Sequence, residues 1–226
     1  MHHPAQPVLH PWQQVTVGSG LMLHAPLSVT ADPVPLQREF AALDAEWPAD
    51  QRLMLADDGS WSSICLVERR LQGSDGCFRE GVATPALQTM PSARRLLEAL
   101  GCRVLGCDLH RQAPGGFLRW HFDNQALHLP EARLIVPVLA PPGALTLIGD
   151  GAAAYPPGVV WTGDFTFPHQ VENAPESQRI VLLVDIASDD HARSLAPAAL
   201  SSDVARRYDL SQRAMTAFQY RSMAPA

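Results

Sequence analysis

Between Val104 and Ile186 proline and glycine cut the chain into short apolar runs, and no ten-residue helical segment intervenes. The runs are 104–110, 117–121, 133–139, 144–148, 158–165 and 179–186, with turns at Pro114-Gly115-Gly116, Pro141-Pro142-Gly143 and Pro156-Pro157-Gly158. Strands this short, joined by turns rather than by crossover helices, cannot build a parallel α/β sheet. They predict a mainly β fold with flanking helices, a double-stranded β-helix or jelly roll. The 20 prolines of the chain suit such turn-rich β structure.

The flanks carry a different period. Leu36, Phe40, Leu43 and Trp47 recur at helical spacing, a helix opened by Pro35 and stopped by Pro48. A second short helix runs from Pro91 to Gly101. Residues 8–30 alternate weakly at Val15-Thr16-Val17 and Leu21-Met22-Leu23, predicting edge strands. The stretch from Ser202 to Tyr220 reads as a helix with Val204, Tyr208, Met215 and Phe218 inward, packed beside the barrel mouth or forming a homodimer contact. At 226 residues, 46% hydrophobic, the chain suits one domain: 1–100 buttressing the barrel, 101–187 the catalytic core and 188–226 a helical tail.

Net charge is −6 and every basic residue is arginine, with no basic run to follow a phosphate backbone, so nucleic-acid binding is not expected. The four cysteines, Cys65, Cys77, Cys102 and Cys107, lack Cys-X-X-Cys spacing and read as buried thiols in a reducing, cytoplasmic setting. The first seven residues have no signal-peptide pattern, and no run reaches the roughly 18 apolar residues of a membrane span. His24, His128 and His191 fall in Pro- or Asp-rich segments and are expected at the surface.

The chemistry-bearing residues sit inside the β region. His121 and Asp123, two apart, leave one face of a strand. His169 follows 46 positions after Asp123, a gap filled by three predicted strands. Two imidazoles and one carboxylate on one side of an ion are the ligand set of a non-haem Fe(II) oxygenase. Arg179 opens the apolar strand 179–184, where a guanidinium fork suits a cosubstrate carboxylate better than a surface pair with Glu172 or Glu176. Asp108 and His110 share a strand face, and pairing of 104–110 with 117–121 as a hairpin would bring one of them to the pocket. Arg133 stands open between binding a carboxylate and a structural ion pair with Asp123 or Glu131.

Several short motifs keep a common order: Ala113-Pro114-Gly115-Gly116 before Trp120-His121-Phe122-Asp123, then Arg133-Leu134-Ile135-Val136-Pro137-Val138, Gly158-Val159-Val160-Trp161, and His169-Gln170-Val171-Glu172-Asn173 with Arg179. On these the chain, from about Trp61 to Asp185, resembles the aspartyl/asparaginyl β-hydroxylase-type branch of the cupin-type 2-oxoglutarate-dependent dioxygenases, which includes bacterial hydroxylases of free amino acids such as proline.

The resemblance implies Fe(II) held by His121, Asp123 and His169, 2-oxoglutarate clamped by Arg179, and contact of His110 with that cosubstrate. It also implies dioxygen and a small amino-acid or amino-acid-derived substrate, whose carboxylate Arg133 could bind. Where the family usually reads Arg-X-His-X-Pro, this chain has Ile135, so the C1 carboxylate of 2-oxoglutarate needs another partner. With Asp123 present there is no vacancy for a halide, which implies hydroxylation rather than halogenation. The competing expectation is a cupin-like protein that binds a metal and an organic acid without oxidative chemistry.

Overall fold

The computed structural model describes residues 8–48, 50, 52–56, 58–70 and 78–223, with the side chains of 221–223 excepted. The amino-terminal residues 1–7, Cys77 and most of the loop from Gln72 lie outside the described residues. The described strands are β1 (His24–Thr30), β2 (Leu53–Met54), β3 (Trp61–Glu68), β4 (Val82–Ala83), β5 (Val104–Gln112), β6 (Phe117–His121), β7 (Glu131–Leu139), β8 (Leu145–Ile148), β9 (Gly151–Ala153), β10 (Val159–Gly163), β11 (His169–Glu172) and β12 (Arg179–Ala187). They form two sheets. The larger runs β1-β10-β7-β12-β5-β3-β2, with β4 on β3; the smaller runs β6-β11-β8-β9. From β5 to β12 the chain steps back and forth between the sheets, apart from the β8–β9 hairpin, which makes the expected double-stranded β-helix. The gap between Asp123 and His169 holds four strands instead of three, because β9 pairs with β8 as an additional short strand.

The turn at 114–116 does not close the expected hairpin. β5 pairs with β12 and β3, whereas β6 pairs with β11. Gly115, at φ +69°, turns the chain from one sheet to the other, and its N–H donates to Ala174 O at 2.9 Å. The long ladder with β12, from Arg179↔Gln112 to Ile186↔Val104, gives β5 a partner that a five-residue β6 cannot match.

Strand alternation then assigns each side chain its layer. Ile180, Leu182, Val184 and Ile186 of β12 face outward into a core shared with Leu36, Phe40 and Leu43 of α2 (Pro33–Glu46) and with Ala93, Leu96 and Leu100 of α4 (Pro91–Leu100). Each buried Leu, Ile, Val or Phe among these contributes roughly 1.5–3 kcal/mol by leaving water. α2 begins two residues earlier than expected, because the Asp32 carboxylate caps it by accepting from the Val34 N–H at 3.0 Å. Gly101, at φ +62°, ends α4 in the left-handed conformation. The other β12 face, Arg179, Val181, Leu183, looks into the barrel.

Four expectations outside the barrel core change. Val15-Thr16-Val17 form no strand: they follow a short helix, α1 (Pro11–Gln14), and the Thr16 hydroxyl donates to Gln13 O at 2.9 Å. Cys65 is exposed and Cys102 half-buried, leaving Cys107 as the buried thiol among the three described. His24 and His128 are not surface groups; His24 bonds Tyr155 and the His128 side chain is 4% exposed. In α6 (Val204–Met223) Val204 and Tyr208 point to solvent, while Arg207, Leu210, Ser211 and Ala214 are buried. The helix is turned so that Arg207 meets Asp164 of the barrel at 2.9 Å. Among the described residues no helix is long and apolar enough to cross a membrane.

Candidate metal centre

His121 ends β6 and His169 opens β11, and the two are direct cross-strand partners with ring centroids 4.0 Å apart. Asp123 lies two residues beyond His121, past the strand end, so alternation along a strand is not what brings it alongside. Its N–H donates instead to Phe165 O at 2.8 Å, tying it to the segment that leads into His169. His169 Nε2 is 3.8 Å from Asp123 Oδ2, and one ligand atom from each of the three residues lies within 4.8 Å of the others.

Both imidazoles are set in one tautomer. His121 Nδ1 lies 2.7 Å from Arg119 O and His169 Nδ1 lies 3.1 Å from Phe167 O. A carbonyl oxygen only accepts, so each Nδ1 carries the proton and each Nε2 presents a lone pair. Burial, then the neighbouring His121 and Arg133, push the His169 pKa down to about 3, which keeps the ring neutral and able to ligate. Two neutral imidazole nitrogens and a carboxylate, with open space beside them, fit Fe(II). Arg133 braces the carboxylate: Nη1 donates to Asp123 Oδ2 at 2.9 Å, while Nε and Nη2 grip both oxygens of Asp185 at 2.8 and 3.1 Å. Arg133 is thus in an ion pair with Asp123, one of its expected readings, and it has a second partner, Asp185, that was not expected.

The three residues open onto a cavity of ≈ 150 Å³ between the sheets. Arg179 lies across it, 7% exposed. Its Nη1 donates to Gln112 Oε1 at 2.9 Å and its Nη2 to Thr146 Oγ1 at 3.3 Å, both neutral acceptors. Among the described residues no carboxylate pairs with it, and burial lowers its pKa to about 10, still cationic at neutral pH. The Gln112 amide nitrogen is buried without a partner beside it. A guanidinium, an orphan amide donor and a hydroxyl lining one cavity fit one carboxylate of 2-oxoglutarate.

His110, on the same face of β5 as Gln112, lines this cavity too. Trp61 Nε1 donates to its Nδ1 at 3.1 Å, so the proton sits on Nε2. Burial, with Arg133 next, pushes its pKa down to about 3. Ile135 is an aliphatic wall residue. All six residues singled out from the sequence therefore border one cavity, although Asp108 sits beside Ser63 and Cys65 instead. Gln112, Thr146 and Asp185 were missed. Two of them carried a signal in strand parity, since Gln112 is two from His110 and Asp185 is six from Arg179.

The family model described as aspartyl/asparaginyl β-hydroxylase matches residues 35–189. No curated protein matches the chain. Solved structures similar to it include a 2OG-Fe(II) oxygenase-family oxidoreductase from Burkholderia pseudomallei (13% identity, 82% of this chain and 93% of that one, TM-score 0.48). A prolyl-4-hydroxylase from Pseudomonas putida matches at 15% identity over 79% and 99%, TM-score 0.44. HygX from Streptomyces hygroscopicus, solved with nickel and 2-oxoglutarate, matches at 12% identity over 79% and 87%, TM-score 0.45.

Proposed function

Because the chain belongs to the aspartyl/asparaginyl β-hydroxylase family of Fe(II)- and 2-oxoglutarate-dependent dioxygenases, we propose that it hydroxylates an unactivated C–H of an amino acid or amino-acid-derived small molecule. In this reading His121, Asp123 and His169 hold the iron and Arg179 holds the far carboxylate of 2-oxoglutarate. The observation that carries it is the buried Arg179, without a carboxylate partner among the described residues, facing the same cavity as the three ligands.

When bound, iron and 2-oxoglutarate supply dioxygen activation coupled to oxidative decarboxylation, yielding succinate, CO2 and a hydroxylated substrate. The side chains supply binding and orientation. Arg179, the Gln112 amide and the Thr146 hydroxyl fix one end of the diacid. His110, with its proton on Nε2, donates to the C1 carboxylate that Ile135 cannot serve. Arg133, itself held by Asp185, keeps Asp123 turned toward the two imidazoles. Leu118, Phe165, Val181 and Leu183 line the cavity and exclude water.

The test is oxygen-dependent succinate formation from 2-oxoglutarate with Fe(II), comparing the parent with His121→Ala and Arg179→Ala. Both variants should lose turnover; equal rates in all three would remove the assignment. Screening amino acids and their derivatives for enhanced succinate release then identifies the substrate.

A further inference from the structure

Asp123 borders a second recess, of ≈ 250 Å³, between the loop 122–129 and α6. The first cavity, ≈ 150 Å³, matches the size that accepts one benzene-sized guest, so 2-oxoglutarate fills it and the bulk of a substrate must sit elsewhere, still within reach of the metal. A recess that shares a proposed metal ligand with that cavity meets this requirement.

Its lining is chemically specific. Phe122, Tyr208 and Met215 offer apolar and aromatic surface, and Asn124, Gln212 and His128 offer uncharged hydrogen-bonding groups. His128 is nearly buried, with its Nδ1 3.7 Å from Asp164 Oδ2. Among the described residues no arginine lines the recess, and its one carboxylate, Asp123, is already held by Arg133. Charge balance adds to this. The charges of Asp123, Asp185, Arg133 and Arg179 sum to zero, as do those of a divalent ion and the 2-oxoglutarate dianion, so none is left over for another carboxylate.

We propose that the recess between the 122–129 loop and α6 is the substrate subsite and that it takes an amide-linked amino-acid derivative, uncharged at both ends, in preference to a free amino acid. This deepens the oxygenase reading and rests on it. Side-chain amides and an imidazole exchange hydrogen bonds with amide N–H and C=O groups, whereas a carboxylate would be desolvated there without a cation. α6 thereby becomes a specificity element.

The experiment is calorimetric titration of the full chain, loaded with Mn(II) and 2-oxoglutarate, with N-acetyl amino-acid N-methylamides and with the same amino acids uncapped. At least one capped compound should bind about tenfold or more tighter than its free counterpart, the cost of leaving one charged or polar group unpaired. Tyr208→Ala and Gln212→Ala, both at exposed positions of α6, should weaken the capped compounds about tenfold while leaving 2-oxoglutarate affinity unchanged. Gln212→Arg should narrow the preference by admitting the free acids. The proposal is overturned if free amino acids bind as well as capped ones, if no capped compound binds, or if the α6 variants change nothing. Failure of the parent to bind 2-oxoglutarate with Mn(II) would instead overturn the iron-site reading, and this proposal with it.

Discussion

His121 and His169 stand opposite one another on adjacent strands of the smaller sheet, so a backbone ladder, and not a pair of loops, sets the separation of the two imidazoles. Each ring is further held by the carbonyl two residues before it. A site built this way is organised before any ion arrives, which is what a metal needing open coordination positions requires.

Arg133 links the Asp123 carboxylate, the proposed third ligand, to Asp185. Asp185→Asn removes the charge that orients Arg133 and should lower Mn(II) affinity about 10- to 100-fold, as loss of an outer partner of a metal ligand does. Calorimetric titration with Mn(II) checks this. An unchanged affinity would mean that Asp123 is positioned without this link.

Arg179→Gln should leave Mn(II) binding intact and weaken 2-oxoglutarate. Removing the cationic partner of a buried carboxylate costs about 2–4 kcal/mol, or about 30- to 1,000-fold in affinity. Competition binding at fixed Mn(II) measures it, and a change below threefold would place the diacid elsewhere.

Arg207 is fully buried, donating to Asp164 and to the carbonyls of Met22, Ala199 and Ser202, and so locks α6 to the turn leading into His169. Arg207→Met strands a buried carboxylate and should destabilise the protein by about 3–5 kcal/mol in urea unfolding. Adding Asp164→Asn should recover part of that loss. A double variant as unstable as the sum of its singles would deny the coupling.

His110 makes the metal-free protein acid-sensitive. Its pKa falls from 6.5 to about 3 on folding, chiefly by burial, so acid protonates the unfolded chain first and draws the equilibrium toward it. The resulting loss begins as pH drops below about 6.5, grows by at most about 1.4 kcal/mol per pH unit and levels off near 3. Between pH 7 and pH 5 the parent should therefore lose more stability than His110→Gln in denaturant titrations. Parallel pH profiles would show that the ring is not buried neutral.

The sequence by itself determined the barrel and the order of its ligands. Proline and glycine dictate where strands must stop, alternation decides which side chains share a face, and both are properties of near neighbours. The same reasoning brought His121, Asp123, His169 and Arg179 into view, since their types and order are written in the chain. Only the tertiary structure decided which strands pair. Adjacent β5 and β6 part to different sheets, because β12, closing the barrel from far along the chain, offers β5 the longer ladder. That closure recruits Gln112, Thr146 and Asp185 to the site and occupies Arg133 with two carboxylates. It also turns α6 so that a charged residue points inward: Arg207 finds in Asp164 a partner that no local period could announce.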